Sequence, residues 1–408
     1  MDVRERVERY LGALTAFPDR HVGGPGNRAA TALFTERMAE LGCLVSRRDF
    51  DCIEWEYGEA AVEAGGERFA LHVGPYSLAL DATARLMAAT RVEGLETEAV
   101  RGAAVLIHGD LAQGQIMPKN FTFYNPESHQ RLVRALEEHA PAAVFAATGR
   151  DPEMVGSQYP FPLFEDGDLD VPNAYLKDVD GERLLEYVGD GVRVQIDSRR
   201  IPTTAEHVIA TLPGTGVGRI VISAHIDSRK DSPGALDNAS GVTVLMVLAE
   251  LLAGYAGDPS IQFVPFNGED NYANPGEMLW YADNRDRHDD IVTGINIDDL
   301  GMRNTTNHLS FYGCPREIEG AVLDVAARHP SVSQGPQWFQ GDHAILAQMG
   351  VPAIAMTSSD MAGFMANYAH SERDTTQIAD SALMADAARF LNEAVRAVAG
   401  LATGVHPG

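Results

Sequence analysis

The sequence has few cysteines and no long apolar stretch. The three cysteines, Cys43, Cys52 and Cys314, are odd in number and do not suggest a disulfide framework, which favours a reducing, cytoplasmic setting. The longest apolar run covers residues 242–249, whereas a helix that crosses a bilayer needs about 20 apolar residues. The first residues also lack the basic stretch and apolar core of a signal peptide. We therefore expect a cytoplasmic protein with no membrane-spanning segment.

Positively charged residues are scarce relative to acidic ones. Lys and Arg together number 32 against 58 Asp and Glu, which gives a formal net charge of −26 at pH 7. This charge repels phosphate backbones and anionic lipid headgroups, so we expect no nucleic acid or membrane surface as a partner. Most of the carboxylates are expected to be solvated, but a few could bind divalent metals, which prefer anionic oxygen ligands.

Apolar segments of strand length alternate with segments of helical spacing along much of the chain. Residues 27–41 have helical spacing, and residues 240–253 form a second helical segment with Ser240 as its expected N-cap. Residues 219–224 form a mainly apolar run typical of a buried strand, and residues 261–266 are predicted to form another strand. This alternation predicts an α/β fold with helices on both faces of a sheet.

The middle of the chain follows a different pattern. Between residues 55 and 202, glycine-rich turns separate irregular, β-alternating segments from one or two helical stretches. We therefore predict one α/β domain made of residues 1–54 and 203–408, interrupted by a β-rich insert over residues 55–202.

Metal-competent side chains follow several of the predicted strands. In open α/β sheets, functional groups gather at the carboxyl ends of strands. Histidine and carboxylate groups are zinc ligands, and two ions about 3.5–4 Å apart can hold one water when a carboxylate bridges them. Five candidate ligands occur at strand ends or in the following loops: His225, Asp237, Asp270, Asp298 and His370. Their joint occurrence predicts a two-zinc site, which manganese or cobalt could also fill.

Other acidic residues lie next to these candidate ligands. Glu269 precedes Asp270 and is placed to take a proton from a bridging water and pass it to the leaving group. Asp227, two residues after His225, is predicted to orient an imidazole ring. Asp374 is a further candidate for the same site.

The segment AHIDSRKDSPGALDNASG contains His225 and Asp237, and the segments FNGED, NIDDLG, GDHAILAQMGVPAIAM and HSERDT follow it. In this order they resemble the motifs of the co-catalytic zinc aminopeptidase family of clan MH. That family includes bacterial leucyl aminopeptidases, glutamate carboxypeptidase II and the glutaminyl cyclases. Within the insert, RGAAVLIHGD and VPNAYLKDVDGERLLEYV resemble parts of a protease-associated domain.

The resemblance implies a three-layer α/β/α zinc-peptidase domain with a mixed sheet, and an inserted protease-associated-like domain. It also implies two Zn²⁺ ions per chain that share one carboxylate. The first zinc would be bound by His225, Asp237 and Asp298, and the second by Asp237, Asp270 and His370. The resemblance also implies that Glu269 is the general base.

The sequence departs from the family pattern in four places. They are the loop over residues 271–277, Asp270 in place of the commoner Glu, Gly341 in place of Ser, and Tyr368 two residues before His370 instead of one. The loop lies beside the substrate, so the resemblance does not carry substrate specificity over to this chain. We expect His343 to be structural or substrate-facing, and Tyr368 to pack rather than to contact the reacting atoms.

The predicted function is that of a metal-dependent exopeptidase, with an aminopeptidase favoured. It would hydrolyse a peptide or amide bond of a small substrate with a zinc-bridging hydroxide and Glu269 as general base. The alternatives are a carboxypeptidase, an amidohydrolase acting on a small amide metabolite, a glutaminyl cyclase-like acyltransferase with one zinc, and a non-catalytic relative. The direction of cleavage depends on groups that bind a free amine or a free carboxylate, and the sequence does not identify them. It also leaves the oligomeric state open.

Overall fold

The computed structural model of the chain describes residues 1–17, 19–121, 124–151, 158–270 and 275–402. Its α-helices are α1 (Val3–Thr15), α2 (Pro25–Glu40), α3 (Glu127–His139), α4 (Asp178–Leu184), α5 (Gly241–Leu251), α6 (Pro275–Asn284), α7 (Arg316–Ala326), α8 (His343–Gln348), α9 (Met361–Asn367) and α10 (Ser381–Ala402). Its strands are β1 (Leu44–Ala64), β2 (Glu67–Val73), β3 (Leu80–Ala89), β4 (Ala104–Ile107), β5 (Ala143–Thr148), β6 (Asn173–Lys177), β7 (Gly191–Leu212), β8 (Arg219–His225), β9 (Ser260–Phe266), β10 (Ile291–Ile297), β11 (Asn307–Tyr312), β12 (Val332–Gln334) and β13 (Ala353–Ser358).

The strands form one mixed sheet, in the order β1-β2-β6-β5-β4-β3-β7-β9-β8-β10-β13-β11-β12. Strands β9, β8, β10 and β13 run parallel to one another, while β7 and β11 pair antiparallel with the strands at either side of this group. The predicted α/β class with a mixed sheet is therefore confirmed. Within the described residues, the helices are too short or too polar to cross a membrane.

Helices cover both faces of the parallel part of the sheet. On one face, α1, α5 and α10 pack a large core that includes Leu245, Phe390 and the strand residue Ile222. On the other face, α6 and α8 pack a second core that includes Trp280 and Val221. The neighbours Val221 and Ile222 enter opposite cores because successive side chains of a strand point to opposite faces. The result is the expected three-layer arrangement.

The helix predicted over residues 240–253 is α5, but Ser240 does not cap it. Ser240 already has helical backbone angles and its side chain makes no capping hydrogen bond. Instead its hydroxyl donates to the carbonyl of Leu236 and accepts from the N–H of Leu300. The predicted cap was wrong because the chain enters the helix through a tight loop that the hydroxyl braces.

Seven strands between residues 44 and 212 pair into a closed ring, because β1 also pairs with β7. Side chains such as Phe145 pack into one hydrophobic cluster of this region, and side chains such as Val144 pack into another together with α3. Strands β1 and β7 are 21 and 22 residues long and continue unbroken into the large α/β sheet. The predicted boundaries at residues 54 and 202 therefore fall within continuous strands, and that division of the chain into domains stays a prediction.

Candidate metal centre

The candidate ligands come from the carboxyl ends of neighbouring parallel strands. His225 is the last residue of β8, Asp298 follows β10 directly, and Asp270 lies in the loop after β9. Because these strands are parallel neighbours, their carboxyl ends meet at one edge of the sheet. Asp237 reaches the same edge from the loop before α5, and His370 reaches it from the segment after α9.

The carboxylate of Asp237 lies between the two histidines. Its Oδ1 is 3.1 Å from Nε2 of His225, and its Oδ2 is 3.3 Å from Nε2 of His370. Asp298 Oδ1 lies 3.3 Å from His225 Nε2, and Asp270 Oδ1 lies 3.2 Å from His370 Nε2. Each histidine thus faces one shared carboxylate and one carboxylate of its own.

The charges of this cluster call for a cation. Burial alone would lower the pKa of His225, but Asp298 and its other acidic neighbours hold that pKa well above its usual value. Burial and Arg229 oppose protonation of His370, yet Asp270 and Asp237 raise its pKa to about 10. These shifts show that the carboxylates attract positive charge at the two Nε2 positions.

The donor set also fits a divalent metal. Asp270 Oδ2 is buried and has no hydrogen-bond partner among the described residues. Buried charged groups are costly unless they are paired or coordinate a metal. Imidazole nitrogens mixed with carboxylate oxygens are ligands that suit zinc, so these residues fit the metal that the sequence predicted.

Asp227 contacts both the backbone of the acidic loop and the imidazole of His225. It is fully buried, and its carboxylate accepts the N–H groups of Gly268, Glu269 and Asp270 at 2.9, 3.2 and 3.1 Å. Its Oδ1 lies 3.7 Å from Nδ1 of His225, whereas its backbone carbonyl lies 3.2 Å from that nitrogen. Its carboxylate therefore fixes the loop, while its carbonyl holds Nδ1 and leaves Nε2 facing the centre.

Glu269 reaches the cluster without belonging to the ligand pairs. Its Oε2 lies 3.9 Å from Nε2 of His225, and its side chain is 23% exposed, so solvent or a substrate can reach it. Burial raises the pKa of the Glu269 carboxyl well above its usual value, and the charge of Asp270 adds to the shift. A carboxylate with a raised pKa is a better proton acceptor at neutral pH.

Asp374 braces the loop that carries Asp237. It is fully buried and accepts the N–H groups of Leu236 and Asp237 at 2.9 and 3.0 Å. Its backbone carbonyl accepts a third N–H, from Ala235, at 3.2 Å. These bonds tie the segment after His370 to the loop before α5, so Asp374 acts on the backbone of Asp237.

Arg20 holds the same loop from the N-terminal part of the chain. Its guanidinium is buried and donates to the carbonyls of Ile226, Pro233 and Gly234 at 3.2, 2.7 and 2.8 Å. Sequence reasoning missed Arg20 because more than 200 residues separate it from these carbonyls. The only signal was its position before a glycine turn and a helix, which does not specify a contact.

Replacing Arg20 with methionine should lower the free energy of unfolding by about 3 kcal/mol or more, because buried carbonyls lose their donors. Urea denaturation followed by circular dichroism measures this change. The exposed Arg134 offers a matched control, and its change to methionine should alter stability by at most about 0.5 kcal/mol. Equal stability of the two variants would show that Arg20 does not support the loop.

Side chains from the region of residues 55–202 reach the rim of the centre. Gln158 Nε2 donates to the backbone carbonyl of His370 at 2.7 Å. Glu165 forms a buried ion pair with Arg229, which follows the first histidine by four residues. Neither Gln158 nor Glu165 stands in a sequence pattern that predicts such a contact. Residues between β5 and β6 therefore border the centre directly.

The remaining singled-out residues lie outside the ligand pairs. His343 Nε2 lies 2.9 Å from the carbonyl of Trp338, and burial lowers the pKa of the His343 imidazole to about 4. Tyr368 is half-buried and packs against the large core. A side chain at Gly341 would approach Asp298 Oδ2 to 3.3 Å. In the loop over residues 271–277, whose sequence differs from the family pattern, residues 271–274 lie outside the described residues.

Together, the sheet and the cluster define an α/β protein with a histidine–carboxylate centre at the carboxyl edge of its parallel strands. Residues 207–395 match the model of Peptidase family M28. The match begins in β7 and ends in α10, and it contains all five candidate ligands.

Individual proteins are similar to this chain over more of its length. A probable leucine aminopeptidase 2 of Arthroderma benhamiae is 24% identical over 321 residues, which cover 76% of this chain and 60% of that protein. The chain thus spans less than two thirds of that relative's length. Among solved structures, an aminopeptidase from Aneurinibacillus sp. strain AM-1 superposes with a TM-score of 0.73 at 19% identity, covering 96% of this chain and 93% of that one. A zinc aminopeptidase from Bacillus subtilis superposes with a TM-score of 0.71 at 18% identity, covering 96% and 94%. These likenesses show the fold.

Proposed function

We propose that the chain is a metal-dependent exopeptidase that removes N-terminal residues from small peptides. The observation that carries the proposal is the position of Asp237, whose two carboxylate oxygens face His225 and His370 at 3.1 and 3.3 Å. A carboxylate shared in this way is what a pair of metal ions requires.

The proposed ligands divide into two sets that share Asp237. One ion is assigned to His225, Asp237 and Asp298, and the other to Asp237, Asp270 and His370. Zinc is the proposed metal, since its ligands are nitrogen and carboxylate oxygen and a structural neighbour is a zinc aminopeptidase. When bound, the metal supplies Lewis acidity toward a water and toward the substrate carbonyl.

Glu269 is proposed to move the proton in this reaction. Its carboxylate accepts a proton from the attacking water and later donates it to the amine that leaves. Asp227 supports this role because it binds the backbone N–H of Glu269 and of both neighbouring residues. The base is thereby held on a fixed loop, within reach of the centre and of the solvent.

Cleavage from the N-terminus is favoured over cleavage from the C-terminus. The relative and the structural neighbours named above are aminopeptidases.

The proposal also covers the inserted module and the location of the protein in the cell. The ring of strands over residues 55–202 is proposed to be a protease-associated-like module, supported by its sequence resemblance and by its contacts at the rim of the centre. A cytoplasmic location is proposed on the three cysteines, which form no disulfide in the structure.

A substrate panel tests the direction of cleavage. We expect leucyl dipeptides with a free N-terminus to be hydrolysed, and N-acetylation of the same dipeptides to lower kcat/KM by about 10²-fold or more. A metal chelator should abolish the activity, and added zinc should restore it. Equal hydrolysis of free and acetylated substrates would contradict the aminopeptidase proposal, and cyclisation of N-terminal glutamine without hydrolysis would favour an acyltransferase.

A further inference from the structure

A buried carboxylate beside the centre, that of Asp299, has no part in the reaction described so far. Asp299 is 7% exposed, and its Oδ1 has no hydrogen-bond partner among the described residues. Asp299, Asp298 and Asp237 each offer a carboxylate oxygen, and these three oxygens lie within 4.8 Å of one another. Asp299 therefore extends the cluster on the side of Asp298.

The backbone holds Asp299 in this place. Its φ angle is +52°, in the left-handed region that residues other than glycine adopt at a cost. Its carbonyl accepts hydrogen bonds from both the N–H and the hydroxyl of Ser358, at the end of β13. The neighbouring residue Leu300 is fixed in turn by the hydroxyl of Ser240. Its contacts thus fix the backbone of Asp299 and leave the carboxylate oxygen Oδ1 unused.

A carboxylate in such surroundings needs a cation. Burying an ionised carboxylate costs several kcal/mol unless a partner or a metal compensates. The groups whose charges act most strongly on Asp299 are the acids Asp298, Asp237 and Asp374, followed by His225. The one base among them, His225, already faces Asp237 and Asp298. A metal ion between these side chains would satisfy the unused oxygen.

We propose that Asp299 is a further ligand of the ion assigned to His225, Asp237 and Asp298. This inference rests on the proposed two-ion function. It gives that ion three carboxylate groups and one nitrogen, whereas the ion on Asp270 and His370 has two carboxylates and one nitrogen. Oxygen-rich sites favour harder ions such as Mn²⁺ relative to Zn²⁺. The two positions should therefore differ, with the Asp299 position binding Mn²⁺ more strongly than its partner position does.

Metal titration of the full-length, metal-free protein tests this inference. Calorimetry with Mn²⁺ and with Zn²⁺ would compare the wild type with Asp299→Asn, which keeps the shape of the side chain and removes its charge. We expect two ions per chain in both proteins, with Mn²⁺ affinity at one position lowered about 10–100-fold by the substitution and Zn²⁺ affinity lowered less. The visible spectrum of the Co²⁺-loaded protein should also change, because one ion loses a ligand.

Two further variants separate ligation from a general charge effect or a folding defect. Asp342→Asn removes an equally buried carboxylate near the centre that lies outside the three-oxygen group, so it should leave the Co²⁺ spectrum unchanged. Asp299→Glu keeps the carboxylate and should restore part of the Mn²⁺ affinity. Asp299→Asn with wild-type affinity and spectrum, or Asp299→Glu as weak as Asp299→Asn, would overturn the role of Asp299 alone. A wild-type protein that binds no metal would overturn the two-ion function as well.

Discussion

Replacing Glu269 with glutamine should lower kcat by about 10²–10⁴-fold while the metal content of the protein stays unchanged. The glutamine fills the same volume but cannot accept a proton from the attacking water. Glu269 Oε2 lies 3.9 Å from Nε2 of His225, and Glu269 belongs to neither proposed ligand set. Its replacement should therefore not weaken the binding of either ion. Steady-state assays on a leucyl dipeptide measure kcat, and elemental analysis of the same samples measures the metal content.

The buried acid Glu277 offers a matched control for this experiment. It is 3% exposed and lies at the start of α6, near Glu269, but it is not proposed to contact the substrate. Glu277→Gln should therefore lower kcat much less than Glu269→Gln does. Near-full turnover by Glu269→Gln would show that another group moves the proton.

Replacing Asp237 with asparagine should remove both activity and paired metal binding. The asparagine amide keeps one oxygen, but the residue loses the charge and one of the two oxygens that face His225 and His370. Since both ions depend on this carboxylate, we expect less than one tightly bound zinc per chain and a loss of kcat of about 10³-fold or more. Dialysis against zinc followed by elemental analysis measures the stoichiometry.

Asp298→Asn separates the shared ligand from an unshared one. Of the two histidines, Asp298 faces only His225. Its replacement should therefore weaken the binding of one ion and leave the other bound, at about one zinc per chain. An Asp237→Asn protein that retained two zinc ions and normal turnover would show that Asp237 is not a bridge.

Much of the α/β fold follows from local sequence patterns. The runs over residues 219–224 and 261–266 are mainly apolar because parallel strands covered on both faces have no solvent side, and they correspond to β8 and β9. The helical spacing over residues 27–41 corresponds to α2. The closed ring of strands was not predictable, because β1 and β7 pair across more than 100 residues and their long runs read locally as irregular alternation.

The candidate ligands were predictable for a different reason. A ligand at the end of an apolar strand can be identified from its place in the sequence, directly after the apolar run. His225 and Asp298 are examples. Residues that bind distant backbone atoms cannot be identified in this way. Arg20 and Gln158 each donate to a carbonyl more than 200 residues away in the sequence. Asp227 is predicted to orient an imidazole and does lie beside His225. Its carboxylate also binds three N–H groups, and only the folded loop defines their position.

A crystal structure of the zinc-loaded protein, with diffraction data collected at the zinc absorption edge, tests the two-ion centre most directly. We expect two anomalous peaks, one on each side of the Asp237 carboxylate, with His225 and Asp298 at one peak and Asp270 and His370 at the other. A single peak, or peaks that lie away from Asp237, would contradict the two-ion centre.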